Sequence, residues 1–481
     1  MSDPGFLVIY SALAVLIFAT LRKAFRDPRL DAIPIVGSSG PLQSYWDGLK
    51  FLKNAPALIQ AGYDQYPEGI FRVPRLFDWL VVVSGPKFVK EVGGAPENVL
   101  SFRGGVEGNL AIKQVIGRAI GENPYHQITI RTSLTRNLHA CFPEVRDEIA
   151  CAFEDVLQLR GSGRNQTYLR NNVQFAVDVV RSGRRIALFP YFLRPLVAPF
   201  YSNKDKSFTV AMKILGPVVQ ERLAKENELG PNWPGKPNDL ISWLLEDAEG
   251  EERTVPALVL RVLATNFAAI HTSSMGFTHA IFDLTTHPEY LLPMREEAKR
   301  VVEKEGWTKA GLNSMVKIDS FLRESQRLNN LGHIVMNRRV VAKDGFRFSD
   351  GTFVPRGSFL CVAARPTHYD SSIHENAAEF DGFRFAKERA EHAATRDPSQ
   401  DIFTRQMIST APDHLSFGTG KHACPGRFFA ATELKAMLAH VVMNYDVAAE
   451  VEGVRPPDTC FNMSVTPNAT AKVRFRKRAD L

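Results

Sequence analysis

Hydrophobic periodicity divides the chain into a long helical part and a shorter region of strands. From about residue 120 to residue 320, apolar residues recur at three-to-four spacing, which predicts helices. Residues 338–362 instead form short apolar runs separated by Asp344-Gly345 and Asp350-Gly351, which predicts strands joined by tight turns. A strand is also predicted at residues 80–83 and a last helix at about 427–444, followed by strand and loop. The pattern therefore predicts a long helical part and a shorter part with strands.

The N-terminal segment has the pattern of a membrane anchor. Residues 5–21 carry no charge, and a basic cluster follows them: Arg22, Lys23, Arg26 and Arg29. At about 1.5 Å rise per residue the apolar run spans about 25 Å, which suits a thin bilayer such as that of the endoplasmic reticulum. A cleaved signal peptide is the alternative, but its basic residues would precede the apolar run. We expect residues 1–31 to be an uncleaved single-pass anchor with its basic flank, and the positive-inside rule places the rest in the cytosol.

Composition narrows the class of protein further. The 481 residues are 44% hydrophobic and 23% charged, which excludes a disordered chain. The formal net charge of +7 suits an anionic partner or a membrane surface, and it is far from a nucleic-acid-binding tail. The five cysteines are widely spaced, which argues against a disulfide framework or a zinc ribbon and favours a reducing compartment.

A glycine-rich segment at residues 417–426, FGTGKHACPG, admits three interpretations. The pattern G-x-G-x-x-A at residues 418–423 fits a dinucleotide-binding fingerprint with Asp446 as its ribose ligand. That interpretation fails because a Pro-Gly pair stands where the helix should run, and too few residues follow Asp446 to complete the sheet. A phosphate-binding loop ending at Lys421 fails because residue 415 is not glycine and no Ser or Thr follows the lysine.

The third interpretation is a haem-thiolate loop, F-x-x-G-x-x-x-C-x-G, filled by Phe417, Gly420, Cys424 and Gly426. A Cys424 thiolate would ligate a haem iron, and Phe417 would shield its sulfur from water. Gly420 would permit a turn close to the macrocycle, and Gly426 would let backbone N–H groups face the sulfur. His422 is placed to reach a haem propionate. A lone cysteine is ordinarily a small buried hydrophobe, and the surrounding pattern is what favours the ligand.

On these residues the chain resembles the cytochrome P-450 family, and further segments match it in order. Glu324 and Arg327 lie on one face of a predicted helix and fill the family's E-x-x-R motif. Arg384, in FDGFRF at residues 380–385, would complete a buried structural cluster with them. This segment carries Gly-Phe where Pro-Glu is common, a variant that resembles fungal members. A solvated surface contact is the alternative for the helix pair.

Residues 262–282 carry no Asp, Glu, Lys or Arg and predict a helix buried in a large core, with a second membrane span as the alternative. Ala268 and Thr272 resemble positions of the family's oxygen-binding helix. There a small residue leaves room over the haem and a Thr hydroxyl hydrogen-bonds the oxygen. His271 stands where the family usually has an acid. It could relay protons or satisfy a backbone carbonyl, and both interpretations stay open.

The resemblance implies a cytochrome P-450 fold, mainly α with small β-sheets, which forms one haem-thiolate catalytic domain over residues 32–481. It implies a haem b (heme b) cofactor whose propionates would pair with Arg131 and Arg338, with Arg339 as an alternative to Arg338 and a surface position open for each. The implied partners are O2, a hydrophobic small molecule, NADPH-cytochrome P-450 reductase and a membrane, with no nucleic acid.

The implied activity is that of a monooxygenase, which inserts one atom of O2 into a substrate C–H bond and releases the other as water. The fungal variants suggest terpenoid or steroid-like substrates in secondary metabolism. The residues expected to line the substrate pocket are Val106, Leu110, Ile334, Val335 and Val465. The alternatives are a reductase-independent haem-thiolate isomerase or dehydratase, against which Thr272 argues, and a non-catalytic haem carrier, against which the set of Ala268, Thr272 and Cys424 argues.

Overall fold

A computed structural model of the chain describes residues 27–38, 40–76, 78–157, 165–395 and 405–479. The anchor predicted for residues 5–21 lies outside the described residues. The first described element is a 3-10 helix at Pro28–Ala32, whose Leu30 is buried in the core. Arg72 Nη2 donates to the Asp31 carboxylate at 2.8 Å. Residues 28–31, which the sequence analysis assigned to the flank of the anchor, therefore pack on the domain that follows.

Helices form most of the domain, in agreement with the apolar periodicity of the sequence. Several begin at a capping side chain, as at Asn165, Asp239 and Thr254, whose oxygens accept N–H groups of the first turn. In chain order the helices of the described residues are α1 (Pro41–Gln65), α2 (Pro86–Gly94), α3 (Phe102–Leu110), α4 (Ile112–Val115), α5 (Arg118–Glu122), α6 (Tyr125–Thr129), α7 (Thr135–Asn137), α8 (Phe142–Val156), α9 (Gln166–Ala187), α10 (Arg194–Tyr201), α11 (Lys204–Leu229), α12 (Leu240–Asp247), α13 (Val255–Thr286), α14 (Leu291–Glu305), α15 (Lys309–Ser314), α16 (Val316–Leu328), α17 (Ala364–His368), α18 (Arg384–Thr395) and α19 (Arg427–Asn444). A π-helical turn at Ile130–Leu134 joins α6 to α7.

The strands form small sheets beside the helical part. In chain order they are β1 (Ile70–Pro74), β2 (Trp79–Val83), β3 (Leu100–Ser101), β4 (Ile334–Val340), β5 (Phe346–Arg347), β6 (Phe353–Val354), β7 (Phe359–Ala363), β8 (Tyr445–Ala449), β9 (Thr459–Phe461), β10 (Ser464–Thr466) and β11 (Val473–Lys477). The largest sheet has the order β1-β2-β7-β4-β3, in which only β2 and β7 run parallel. Three two-stranded sheets pair β5 with β6, β8 with β11, and β9 with β10.

The strand region begins earlier than the sequence pattern indicated. β4 starts at Ile334 rather than near residue 338, and its register against β7 shifts between Val335 and Arg338. Met336 lies inside this irregularity with a φ of 53°. A bulge of this kind breaks the alternation by which a strand is recognised in a sequence, so the first residues of β4 carry no clear periodic signal.

Helix α13 runs through the centre of the domain and joins the two halves of its core. Its N-terminal part packs with α9, α11 and α12, and its C-terminal part packs with α16 and α19. It is the one helix in the described part of the chain that is long and apolar enough to cross a membrane. Most of residues 258–265 and all of residues 279–285 are buried in protein, which supports the interpretation as a core helix.

A buried ion cluster fastens α16 to the segment before α18. Arg327 donates from Nε and Nη2 to the two Glu324 oxygens at 2.8 and 2.7 Å, and Arg384 Nε donates to the same carboxylate at 3.2 Å. The Glu324 and Arg327 side chains are fully buried, and that of Arg384 is nearly so. Arg327 also donates to the backbone carbonyls of His368 and Ala377. The three residues expected from the sequence to pair thus lie in one cluster.

Removing the anion of this cluster is expected to destabilise the fold. Glu324→Ala leaves two buried guanidinium groups without a counter-charge, at a cost of about 3–5 kcal/mol in the free energy of unfolding. Urea unfolding and the yield of haem-loaded protein measure the effect. The matched control is Glu221→Ala, because Glu221 pairs with Lys225 at 2.7 Å on an exposed helix surface. The control should lose less than about 0.5 kcal/mol, and an equal loss in both variants would contradict the assignment.

Buried histidines make the fold sensitive to acid. Burial lowers the pKa of His279 to about 4, and its Nδ1 accepts a hydrogen bond at 2.8 Å from Arg455 Nη2. Burial likewise lowers the pKa values of His126 and His333 to about 4. Between about pH 6.5 and pH 4 the unfolded chain binds protons that the folded chain does not bind, so stability falls as the pH falls.

We expect His279→Gln to flatten this dependence on pH. Each such histidine contributes up to about 1.4 kcal/mol per pH unit in that window, so the variant should lose less stability than the parent between pH 6.5 and 5. Urea unfolding midpoints across this range measure the slope. His139→Gln, at an exposed position, should leave it unchanged. A slope unaltered by His279→Gln would show that folding does not lower the pKa of His279.

Candidate active site

The loop that carries Cys424 is closed by its own backbone hydrogen bonds. Cys424 N–H donates to the Phe417 carbonyl at 2.9 Å, and Ala423 N–H donates to the Gly420 carbonyl at 3.1 Å. The Phe417 side chain packs against the core cluster that contains α19. Helix α19 begins at Arg427, directly after the loop. The loop is therefore a fixed element that presents Cys424 at the N-terminus of a helix.

Two glycines allow this loop to pack against the end of α2. Gly420 has a φ of +75°, and a Cβ placed on it would lie 2.2 Å from the carbonyl oxygen of Gly93. A Cβ on Gly93 would lie 3.1 Å from the Thr419 carbonyl oxygen. Gly420 is therefore required both by its backbone conformation and by the close approach of another backbone. The sequence predicted the turn, and the structure identifies α2 as its contact.

A histidine links the loop to the ion cluster of Glu324, Arg327 and Arg384. Leu415 N–H, at the start of the loop, donates to His368 Nε2 at 2.8 Å. His368 Nδ1 lies 3.0 Å from the Arg327 carbonyl oxygen. Burial lowers the pKa of His368 to about 3, so the ring is neutral, with Nδ1–H as donor and Nε2 as acceptor. The ion cluster and the cysteine loop are thus parts of one hydrogen-bonded unit.

The environment of Cys424 favours an anionic sulfur only in part. Burial raises the pKa of the Cys424 thiol above its ordinary value. The backbone N–H groups of Gly426 and Arg427 and the charge of Arg427 act in the opposite direction. A stable thiolate at this position therefore needs a further cation, as an iron ion would provide.

Three basic side chains expected to hold propionates lie near one another beside the loop. The Arg338 side chain is 1% exposed, yet its Nε and Nη2 atoms have no hydrogen-bond partner among the described residues. The pKa of His422 is lowered by burial and, next in size, by the charge of Arg338, and the charge of Arg131 also lowers it. Arg131 lies at the surface in the π-helical turn and donates to the Lys421 carbonyl at 3.3 Å.

Phe102 completes this group, although no sequence motif marked it. Its ring stacks on His422 with a centroid separation of 5.8 Å and lies 5.4 Å from the Arg338 guanidinium carbon. Arg339 is turned away from the group, toward the rings of Tyr191 and Phe359. Of the two alternatives that the sequence left open, Arg338 is the residue beside the loop.

The middle of α13 carries the residues expected on the oxygen side. Ala268, His271 and Thr272 line one cavity together with Phe267 and Met275, at the spacing of a single helix face. Thr272 Oγ1 donates to the Ala268 carbonyl at 2.9 Å, which leaves its lone pairs free to accept. Burial, followed by the charge of Arg184, lowers the pKa of His271, so a neutral imidazole predominates at neutral pH.

The cavity over this helix face has a volume of about 1360 Å³. Its walls come from α3, α9, α13, β4, β10 and the segment before α10. All five apolar residues expected in the pocket line it: Val106, Leu110, Ile334, Val335 and Val465. Arg184 of α9 also lines it and was not anticipated. Helical periodicity could not select Arg184, because Arg181 and Arg185 stand beside it and both are exposed.

The residues around the cysteine loop fit a bound haem on three observations. The half-buried Cys424 sulfur faces two backbone N–H groups and the charge of Arg427, which together offset only part of the effect of burial on its pKa. A buried guanidinium, that of Arg338, has two nitrogens without partners, as a propionate carboxylate would require. Ala268 and Thr272 are exposed in the middle of a helix whose ends are buried, as they would be if a ligand filled the space beside them.

Comparisons with known proteins agree with this geometry. Residues 148–475 match the family model described as cytochrome P450. Cytochrome P450 monooxygenase 151 of Postia placenta is 37% identical over 500 residues, covering 98% of both chains. Cytochrome P450 monooxygenase CYP512U6 of Ganoderma lucidum is 30% identical over 502 residues, covering 98% of this chain and 96% of the relative. The structure of retinoic acid bound cyanobacterial CYP120A1 matches with a TM-score of 0.60 over 93% of this chain and 98% of that chain, and at 17% identity it supports the fold alone.

We predict that Gly420→Ala abolishes haem incorporation while a neighbouring glycine tolerates the same change. The added methyl would meet the Gly93 backbone at 2.2 Å, so either the loop or α2 must move. Gly94→Ala is the matched control, because a Cβ at Gly94 has no heavy atom within 4 Å. Haem content per folded protein, from absorbance and total protein, measures the effect. Full haem content in Gly420→Ala would show that the loop does not need this packing.

Proposed function

We propose a function from one premise: the chain belongs to the cytochrome P450 family and is a haem-dependent monooxygenase. On this premise it oxidises a hydrophobic small molecule of terpenoid or steroid-like type in fungal secondary metabolism. The relatives named above come from fungi, and the cavity beside α13 is lined largely by apolar side chains. The observation that carries the proposal is the half-buried Cys424 sulfur facing the N-terminus of α19.

In this proposal the protein holds the haem from two sides. Cys424 would ligate the haem iron through its sulfur, and the N–H groups of Gly426 and Arg427 would stabilise the negative charge of that sulfur. Arg338 and His422, with Arg131 at the surface, bind the propionates. When bound, the haem activates O2 with two electrons, so that one oxygen atom enters a substrate C–H bond and the other leaves as water.

The side chains of α13 control protons and space on the cavity side. Ala268 leaves room at the helix surface, and Thr272 Oγ1 accepts a hydrogen bond while it donates to the Ala268 carbonyl. To pass on a proton, the Thr272 hydroxyl rotates away from that carbonyl. A neutral His271 in the same cavity wall can exchange protons with water. Because its pKa is lowered, little of it is protonated at neutral pH, so it is a weak source of protons there.

The electron donor in this proposal is NADPH-cytochrome P-450 reductase. The surface near the cysteine loop carries the exposed basic residues Arg131 and Lys421, which suit an acidic partner. In this proposal the electrons reach the haem from that separate protein.

The proposed location is the endoplasmic reticulum membrane, with one N-terminal span and the catalytic domain in the cytosol. Exposed apolar side chains on α1 and on the segments around α10 support it, because both regions also line the cavity. They are Trp46, Leu49, Leu188, Tyr191, Phe192, Leu196 and Phe200. A hydrophobic patch of this kind suits contact with lipid and entry of an apolar substrate from the bilayer.

Replacing the axial sulfur tests the site assignment. Cys424→Ser removes the thiolate, so the reduced carbon monoxide complex should lose its red-shifted absorption and turnover should cease. Cys151→Ser, at a position outside the loop, should keep both. A Cys424→Ser protein that retains the shifted absorption would mean that another residue ligates the haem.

Thr272 and His271 should differ in their effect on coupling. Thr272→Ala removes the hydroxyl on the cavity side, so NADPH consumption should continue while hydrogen peroxide replaces much of the oxidised product. The ratio of peroxide to product should rise about tenfold or more. His271→Ala should slow turnover with coupling largely kept, because water can substitute in an open cavity. The measurement is product and peroxide formed per NADPH consumed. Full coupling in Thr272→Ala with uncoupling in His271→Ala would reverse the two assignments.

A further inference from the structure

A single buried carboxylate connects three segments that line the cavity. It belongs to Asp283, which lies near the C-terminal end of α13 and is 2% exposed. Ser325 Oγ donates to its Oδ2 atom at 2.6 Å, and Asn329 Nδ2 donates to the same atom at 2.7 Å. Arg455 Nε donates to its Oδ1 atom at 2.7 Å. The carboxylate therefore joins α13 to the end of α16 and to the segment before β9.

The first of these segments is α13 itself. His279 and Asp283 follow Thr272 by seven and eleven residues, so all three side chains lie on one face of the helix. Thr272 lines the cavity, whereas His279 and Asp283 are buried in protein. The hydrogen bonds to Asp283 therefore fix the rotation of α13 about its axis, and with it the direction in which Thr272 points.

The second segment follows α16. Asn329 is the C-cap residue of that helix. Residues 330–332, which come directly after it, line the cavity together with Ile334 and Val335 at the start of β4. The Asn329 side chain is thus bound to Asp283 at the point where the chain leaves the helix to form this wall. The bond fixes where the wall begins relative to α13.

The third segment is the hairpin of β9 and β10, which Arg455 holds at its base. Arg455 Nη1 donates at 3.2 Å to the carboxylate of Asp458, the residue directly before β9. Residues 462–466, in the turn and in β10, line the cavity. Val465 N–H donates to the Leu331 carbonyl at 3.1 Å, so this wall also contacts the one that follows α16. The carboxylate and its arginine therefore tie the hairpin to both other walls.

The three donors hold the Asp283 carboxylate as an anion. Burial raises its pKa, and the charge of Arg455 and the hydrogen bond from Ser325 act in the opposite direction. Burial acts to lower the pKa of Arg455, but the charges of Asp283 and Asp458 outweigh this effect, so that pKa is raised. An asparagine in place of Asp283 would lose the charge. Whichever way its amide is turned, its NH2 group would face the donor of Arg455 or that of Asn329.

We propose that Asp283 is a positioning residue, which sets how an apolar substrate lies in the cavity. Through Asn329 and Arg455 it holds two walls of the cavity at fixed positions relative to Thr272. These walls then decide which substrate carbon lies beside Ala268 and Thr272, whereas a cavity of about 1360 Å³ with mobile walls would admit several orientations. The inference rests on the proposed function and names a residue that controls its selectivity.

Two azoles of different length test the proposal. The ring of 1-methylimidazole binds the haem iron and reaches little else, whereas the chain of 1-dodecylimidazole must also lie along the cavity walls. The holoenzyme in detergent micelles is titrated with each compound, and the shift of the haem absorption reports binding. The parent should bind the long azole about a hundredfold or more tightly, because the cavity buries its chain. Equal affinities in the parent would overturn the proposal.

Asp283→Asn should weaken only the binding of the long azole. We expect its affinity for 1-methylimidazole to stay within about twofold of the parent, and its affinity for 1-dodecylimidazole to fall about tenfold or more as the walls lose their fit to the chain. An unchanged ratio of the two affinities, or an equal loss of both, would overturn the proposal. If this variant fails to incorporate haem, Ser325→Ala, which removes one donor only, is measured in its place with the same criteria.

The matched control is Asp319→Asn, at a second buried aspartate. The Asp319 carboxylate accepts a hydrogen bond from Met407 N–H at 3.0 Å and lies 2.6 Å from Lys435 Nζ, so its contacts are with α19 and the segment before the cysteine loop. This variant should lose stability in urea, as Asp283→Asn should, and keep the ratio of the two azole affinities. The same change of ratio in both variants would show a general effect of a lost buried charge and would overturn the proposal.

A double-variant cycle assigns the effect to the contact of Asp283 with Arg455. Arg455→Gln should weaken the binding of 1-dodecylimidazole as Asp283→Asn does. The double variant should lose no more than about threefold beyond the larger single effect, because both changes remove one contact. Arg455→Lys keeps the charge and should recover part of the affinity. Fully additive losses would contradict the assignment.

The outcome is separable from that of the proposed function. Azole binding is read without NADPH or O2, so a protein that shows the expected azole pattern but forms no oxidised product would contradict the monooxygenase proposal alone. Conversely, an unchanged azole ratio in Asp283→Asn, in a protein that oxidises its substrate with NADPH and reductase, would reject the positioning role alone.

Discussion

The buried contact of Glu324 with two arginines is the interaction on which the position of the cysteine loop depends. Arg327 also donates hydrogen bonds to the carbonyls of His368 and Ala377. The His368 ring in turn accepts a hydrogen bond from Leu415 N–H at the start of the cysteine loop. A charged pair in a protein core is stable only when nearly all its hydrogen bonds are made, and a defect in one contact exposes the others. The position of Cys424 is therefore set by a network whose anion lies on a different helix.

The second constraint is the cost of burying the sulfur itself. Burial opposes the thiolate, and the two N–H groups at the start of α19 offset only part of that effect. The loop must also approach the α2 backbone so closely that Gly420 leaves no space for a side chain. The negative charge of a Cys424 thiolate is therefore only partly compensated by the protein, and a bound iron ion would stabilise it. The unpartnered nitrogens of Arg338 add the complementary requirement for an anion nearby.

The local spacing of residues in the sequence predicted much of this structure. Contacts between positions far apart in the chain could not be predicted in this way. The final helix was predicted at about the bounds seen at Arg427–Asn444, because apolar residues recur along it at helical spacing, which is a local signal. Glu324 and Arg327 share a helix face, so their pairing is local, whereas the bond from His368 to Leu415 joins positions far apart in the chain. The start of β4 was missed because a bulge interrupts its alternation. Arg184 was missed because helical periodicity does not say which of three neighbouring arginines faces a cavity.

The central claim is that the protein uses O2 to oxidise its substrate, and isotope labelling tests it most directly. The full-length protein is incubated with NADPH, cytochrome P-450 reductase and a hydrophobic compound that shifts the haem absorption. One incubation is made under labelled O2 and the other in labelled water. We expect a product whose new oxygen comes from labelled O2, and no product without NADPH. A rearranged product that forms without NADPH or O2 and carries no new oxygen would contradict it, and would indicate an isomerase or dehydratase on the same fold.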